Sequence, residues 1–368
     1  MKKLLAIALS LLMMSACFAA AYADTEAVKI GISLPTQSLE RWNRDGAYLA
    51  EQFKSAGYET VLSYADNDSA RQADDIMNMF SSGATVLIIS AVDGEAMDAV
   101  MSAADNAGAA IIAYDRLIMN DAVDCYVSFD NYAVGRLQGQ YIESALDLPN
   151  AGGKTYTIEF TAGDTADNNA GYVFSGAFDV LKGYIDAGTL NVLSKQTELA
   201  EVATVKWDAD AACARTAEIL SAFYTDGAAP DAWLCSNDST AIGVAQALSS
   251  AYAGSNVIIT GQDGELASLA NIVDGKQSMT VYKNVPNEAV VTFAIVKAMI
   301  AGEEIGEKLA AAVGAECVYD ALSYETSAGK KCPSFLLAPS VITKDNLQEL
   351  VDTGLYVMGS DGYLKSAE

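Results

Sequence analysis

The sequence predicts an α/β protein made of two doubly wound parallel-sheet domains. Three observations carry the prediction. Short aliphatic and β-branched runs alternate with segments of helical apolar spacing, some of the runs are continuously apolar, and the alternation restarts near Thr155. The first unit reads as strands over 28–34, 60–65, 85–91 and 110–114, with helices over 41–54, 70–80, 96–107 and 133–145. Gly57, Gly83 and Gly108 stand where helices end and the chain must turn. Val86-Leu87-Ile88-Ile89 has no polar alternation, so this strand must be buried on both faces, as in a parallel sheet with helices above and below. The second unit reads as strands over 155–161, 233–235, 257–260 and 279–282. No Pro-rich or Ser-rich stretch separates the units, and only 6 Pro occur, so the boundary is expected to be crossing strands and not a flexible tether.

Composition narrows the function. With 368 residues, 51% hydrophobic and 19% charged, the chain is long enough for two domains with sizeable cores. A net charge of -26 repels phosphate backbones, which argues against nucleic acid as a partner. The chain has no His, which removes Ser-His-Asp and Cys-His catalytic arrangements and His-based zinc sites. Residues 1–23 read as an export signal: Lys2 and Lys3, an apolar run from Leu4 to Met14, and Ala21-Tyr22-Ala23 before Asp24. Met14-Ser15-Ala16-Cys17 also resembles an imperfect lipoprotein box, leaving a membrane tether through Cys17 as the alternative to free export. The later cysteines are too scattered for a disulfide framework; Cys317 with Cys332, or Cys213 with Cys235, are the pairings left open, against buried free thiols.

Two motif-like stretches fail on spacing. Gly152-Gly153-Lys154-Thr155 lacks the first Gly of a P-loop and runs into a strand, so it reads as a turn. Asp66-Asn67-Asp68-Ser69 lacks the Gly and distal Glu of a calcium loop and reads as helix capping. No metal or cofactor is expected.

Open parallel sheets bind ligands at the carboxyl ends of their strands. Those ends carry Arg41 and Trp42, Asp115 and Arg116, Asp167, Asn168 and Asn169, Asn237, Asp263, and Lys283. Planar and charged groups of this kind bond adjacent hydroxyls cooperatively, and an aromatic face stacks on the C–H side of a sugar ring, so the set suits a neutral polyol. Each residue also has an ordinary role open to it: Arg41 pairing with Asp45 at i,i+4, Asp115 pairing with Arg116, Trp42 in the core. One of Asp167, Asn168 and Asn169 is expected to serve only as a helix cap. An acid–base pair such as Asp115 with Asp263 would suit a glycosidase, a reading set aside in favour of binding.

Six stretches in order, Glu40-Arg41-Trp42, Ala113-Tyr114-Asp115-Arg116-Leu117-Ile118, Ser128-Phe129-Asp130-Asn131, Asp167-Asn168-Asn169, Gly261-Gln262-Asp263 and Val281-Tyr282-Lys283, resemble the periplasmic xylose-binding and multiple-sugar-binding proteins of ABC transport systems. The resemblance implies a type I periplasmic binding protein fold, with two domains joined by three crossover strands near 132, 283 and 335, and no enzymatic activity. It implies an N-terminal lobe of 24–132 plus 284–334 and a C-terminal lobe of 133–283 plus 335–368, with the ligand cleft between. Carried over by position, Arg41, Trp42, Asp115 and Arg116 reach the sugar from one lobe and Asp167, Asn169, Asn237 and Asp263 from the other. Lys283 sits at the hinge, and Trp207 is a second aromatic candidate from Lys206-Trp207-Asp208. The implied partners are a monosaccharide such as xylose or glucose and a membrane ABC permease, with a chemoreceptor or sensor as a further partner; the alternative reading is a sugar-sensing binding protein that signals to a chemoreceptor or sensor kinase rather than feeding transport.

Overall fold

The computed structural model describes residues 28–367, so the export signal and Cys17 lie outside the described residues. Five parallel strands open the chain: β1 (Lys29–Leu34), β2 (Glu59–Tyr64), β3 (Ala84–Ile89), β4 (Ala110–Tyr114) and β5 (Cys125–Phe129). Helices α1 (Glu40–Ser55), α2 (Ser69–Ser81) and α3 (Asp98–Asn106) connect the first four. The second unit follows as α4 (Asn131–Ala145), β6 (Tyr156–Thr161), α5 (Asn168–Asp186), β7 (Leu190–Asn191), α6 (Ala209–Phe223), β8 (Ala232–Cys235), α7 (Asp238–Ala251), β9 (Ile258–Ile259), α8 (Leu266–Asp274) and β10 (Thr280–Tyr282). The chain then returns through α9 (Val285–Ile300), α10 (Glu307–Val313), β11 (Cys317–Asp320) and β12 (Ser334–Leu337), and closes with β13 (Ser340–Ile342), α11 (Gln348–Asp352), β14 (Tyr356–Met358) and β15 (Leu364–Ser366).

The first sheet has seven strands in the order β11-β12-β5-β4-β3-β1-β2, parallel except where β11 meets β12. The second has four parallel strands in the order β7-β6-β8-β9. β10 adjoins it through the bridge Gln262↔Val281 and pairs antiparallel with β13. Leu87, Ile88 and Ile89 are all fully buried, as the unalternating run requires, and they divide between two cores on opposite faces of the first sheet. The chain leaves this sheet after β5, comes back after β10, and leaves again between Leu337 and Ser340, because β12 stays in register with β5 to Leu337↔Phe129.

Strands β5, β11 and β12 escape the periodicity reading. Each has only four or five residues, and β5 is an unalternating CYVSF that gives no period-2 signal although all five residues are buried. Asp68 caps α2 by accepting from the Ala70 and Arg71 amides at 2.9 and 3.0 Å, and Gly152 and Gly153 turn into β6 with φ of 60° and 89°. All five described cysteines are free. Cys317 lies opposite Leu337 and Asp320 opposite Ser334, so Cys332 is displaced along the hairpin by about 16 Å, far beyond disulfide reach. Cys235 is buried at the end of β8 and is also unpaired.

Backbone contact between α4 and α5 sets how the second unit leaves the first. A Cβ on Gly135 would fall 1.9 Å from the Val173 carbonyl oxygen, and one on Gly176 would fall 2.1 Å from that of Tyr132. Gly135→Ala should therefore push these helices apart and cost about 1–3 kcal/mol in urea unfolding. An unchanged midpoint would show that the contact relaxes freely.

Candidate functional site

All ten sequence-predicted site residues line one cavity between the two sheets; Leu39 and Gln262 complete its wall. The convergence follows from topology, since all of them but Trp207, which ends a short turn at Val205–Trp207, lie beyond the carboxyl end of a strand or in the first turn of the helix that follows.

Arg41 and Trp42 begin α1, where the unpartnered first turn faces the cleft. Arg41 is the hub of the first lobe. It donates to Asp45 at 2.9 Å and to Asp115 at 2.8 Å, and stands 3.6 Å from both Asp263 and Glu288. The i,i+4 pair with Asp45 thus forms alongside the contacts into the cavity. Its guanidinium lies 4.3 Å from the Trp42 ring centre and that of Arg116 lies 5.2 Å away, so Trp42, 1% exposed, is both a core side chain and a cavity wall.

Asp115 turns the chain at the end of β4 in the left-handed region, φ 57°. Its carbonyl accepts from Tyr126, Ser128 and Asn169 at 2.7, 2.9 and 2.8 Å, which fixes the turn. Its carboxylate accepts from Arg41 and stands 3.3 Å from the Lys283 ammonium. Arg116 pairs with Asp167 at 3.0 Å across the cleft. Asp167 caps α5 through the Asn169 amide at 3.0 Å, so the expected capping residue does not cap alone: its other oxygen meets Arg116. Asn168 does not line the cavity, while Asn169 bridges lobes through Tyr126 and the Asp115 carbonyl.

In the second lobe, Asn237 caps α7 through the Thr240 amide at 3.0 Å. Trp207 lies against Gly163 so closely that a Cβ there would meet the indole at 2.1 Å, which requires Gly at that position. Asp263 has φ 101°, a conformation costly for a side-chain-bearing residue by about 1–3 kcal/mol.

Burial and charge set the protonation states. Burial alone would raise the Asp115 carboxyl, but Arg41, Lys283 and Arg116 outweigh it and hold the group down at about 2. Burial pushes Asp167 and Asp263 upward and Glu288 well upward. It also opposes the Arg41 charge, yet Asp115, Asp45, Asp263 and Glu288 together keep the guanidinium firmly protonated. The wall thus carries three cations, Arg41, Arg116 and Lys283, against three carboxylates, Asp115, Asp167 and Asp263. Such a balance favours a neutral ligand over an ion.

Several buried polar atoms on this wall have no hydrogen-bond partner in the protein: the indole nitrogens of Trp42 and Trp207, Gln262 Oε1, and Asp263 Oδ1, which is met only by the Arg41 charge at 3.6 Å. Leaving a buried group unbonded costs about 1–3 kcal/mol. Donors and acceptors stand unsatisfied together, the combination a hydroxyl completes because it is both. Among the described residues no cluster of ligating side chains could hold a metal ion.

Sequence reasoning missed Gln262, Leu39, Arg44 and Glu288. Gln262 lies inside Gly261-Gln262-Asp263 and was legible there. Glu288 stands among Val285, Ala289, Val291 and Thr292 on the buried side of α9, and a lone acid on an apolar helix face was its available signal.

Residues 30–304 match the family model described as periplasmic binding protein domain. The chain is 38% identical over 333 residues to the multiple sugar-binding periplasmic receptor ChvE of Rhizobium radiobacter, covering 89% of this chain and 90% of that one. It is 31% identical to the D-xylose-binding periplasmic protein of Escherichia coli over 347 residues, 94% of each chain. An ABC transporter solute-binding protein from Clostridium phytofermentans, solved with bound β-D-glucose, superposes with a TM-score of 0.84 at 41% identity, covering 91% of this chain and 99% of that one.

Proposed function

This chain belongs to the periplasmic binding protein family, and from that premise we propose that it is the substrate-binding component of a sugar ABC importer. It is a binding protein and not an enzyme. The sugar is a monosaccharide of the xylose or glucose type, gripped by Arg41, Trp42, Asp115 and Arg116 from one lobe and by Asp167, Asn169, Trp207, Asn237 and Asp263 from the other, with Lys283 at the hinge. The observation that carries this is the set of buried, unbonded donors and acceptors on the wall of a cavity that both lobes share. The sugar stabilises the closed arrangement because only there can both lobes bond it, and the closed surface docks on the permease. The lobes in this reading are 24–132 with 284–334 and 133–283 with 335–368, except that β12 stays paired with β5 to Leu337, which moves the last crossing from near 335 to between Leu337 and Ser340.

A panel of pentoses, hexoses and sugar acids in a thermal-shift assay tests the reading. A ligand at about 100 times its dissociation constant should add about 2.7 kcal/mol. Neutral aldopyranoses should stabilise and sugar acids should not, because the wall is already charge-balanced; stabilisation by the acids alone would refute it. We also propose the chemoreceptor as a second docking partner, tested by pull-down of a receptor periplasmic domain with and without sugar. Tethering through Cys17 is the alternative to a free periplasmic protein, and detergent-phase partitioning of the exported chain separates the two.

A further inference from the structure

Arg44 lies outside the cavity wall, yet it makes more bonds across the cleft than any of the residues assigned to the sugar. It sits three residues after Arg41 on α1, so both project from nearly the same face of the helix. Its Nη2 donates to the Asp263 carbonyl at 2.8 Å and its Nη1 to the Gly264 carbonyl at 3.2 Å and to the Tyr356 hydroxyl. Tyr356 itself donates to the Gly264 carbonyl at 2.9 Å. One helical turn earlier, Glu40 accepts the Leu266 amide, at the start of α8, at 2.9 Å. Glu40 and Arg44 are on the first lobe; Asp263, Gly264, Leu266 and Tyr356 are on the second.

One of the residues these groups hold, Asp263, is strained. Asp263 and Gly264 have φ of 101° and 70°, and Asp263 is the residue whose Oδ1 stands unbonded on the cavity wall. A side-chain-bearing residue keeps such a conformation only when its surroundings fix it. The Asp263 amide is bonded within the second lobe, to the Val281 carbonyl at 2.9 Å, whereas its own carbonyl is met by Arg44 from the first.

Resting on the sugar-binding reading above, we propose that Arg44, with Glu40 and Tyr356, is an interlobe clasp and Arg44 a positioning residue: it bonds the second lobe only when the cleft is closed, and in doing so sets the backbone that aims the Asp263 carboxylate at the sugar. The clasp touches no sugar atom, so it acts on every ligand alike. Its loss should raise dissociation rates by one common factor, whereas loss of a wall residue should change the ranking of sugars. Association, which begins from the open arrangement, should be little affected.

Stopped-flow tryptophan fluorescence with D-glucose and D-xylose on the wild type, Arg44→Ala, Arg44→Lys and Tyr356→Phe tests this. Arg44→Ala should dissociate roughly ten-fold faster for each sugar, by factors agreeing within about two. Arg44→Lys and Tyr356→Phe, which preserve packing, should fall between it and the wild type. X-ray scattering without sugar supplies an independent arm, in which Arg44→Ala should have a radius of gyration at least as large as the wild type. Dissociation rates within a factor of two of the wild type in all three variants, or a change confined to one sugar, would overturn the clasp. A more compact sugar-free Arg44→Ala would do the same. A wild type that binds neither sugar would count against the sugar reading instead, and scattering would still judge the clasp.

Discussion

Arg41→Ala is expected to abolish useful sugar binding and to destabilise the fold more than any other single substitution in the cavity. The guanidinium is the shared counter-charge of Asp45 and Asp115 and stands close to Asp263 and Glu288, all of them buried. Removing one partner of a buried ion pair typically costs about 3–5 kcal/mol, because the remaining charge keeps its desolvation penalty without compensation. Here several carboxyls are stranded together. The affinity should fall by roughly thirty- to a thousand-fold, from loss of about 2–4 kcal/mol of a desolvated charged contact. Arg41→Lys should recover part of the stability and little of the affinity, since a point charge cannot reach Asp45 and Asp115 at once as the planar fork does. Calorimetric titration with the best sugar from the panel and urea unfolding provide the two readouts. Affinity kept within ten-fold by Arg41→Ala would remove Arg41 from the site.

Stability should decline as pH rises from about 4.5 to 7, with Glu265 as one source beside the buried Asp238 and Glu288. Burial, with Asp263 and Glu40 nearby, raises this carboxyl to about 7 in the folded protein, even though Ser239 donates to it at 2.7 Å. The unfolded value is near 4.5. A carboxyl with a raised folded pKa binds more protons in the native state, so its favourable contribution is complete below about 4.5 and is lost as pH climbs through the folded value. The difference corresponds to about 3 kcal/mol. Buried Asp238, raised well above its usual value mainly by burial and next by Glu265, adds to the same trend. Asp115 opposes it only in strong acid: its depressed value gives a contribution present above about 4 and lost toward 2. Urea unfolding at pH 4.5 and 7.5 measures the slope, and Glu265→Gln should flatten it measurably. A wild-type protein more stable at 7.5 than at 4.5 would contradict the argument.

How much of the site was legible depended on what kind of constraint placed each residue. Asp115, Arg116 and Asp263 follow recognisable strands, so their position at a sheet's carboxyl edge could be read from the order of the elements. Their meeting in one cavity could be read only through resemblance to a family. Arg44 was not legible, and Glu288 only as a lone acid on an apolar helix face. Each lies on a helix whose pattern announces burial or exposure but not which remote residue it faces, and their partners lie 247 and 219 positions away, at Arg41 and Asp263. Short strands such as β5 and β12 were lost for a related reason, since four or five residues are too few to establish a period.

The sequence by itself determined the α/β class, the double unit, the exclusion of His-based chemistry and of a basic nucleic-acid face, and the residues at the strand ends. These follow from composition and local periodicity, which act over a few residues. The tertiary structure alone decided that Asp263 is held with φ 101°, that Asp167 both caps a helix and pairs with Arg116, that the cysteines stay unpaired, and that Arg44 joins the lobes. Those outcomes depend on distances between segments from about fifteen to more than two hundred residues apart, fixed by how two sheets and their helices pack, and no local pattern encodes them.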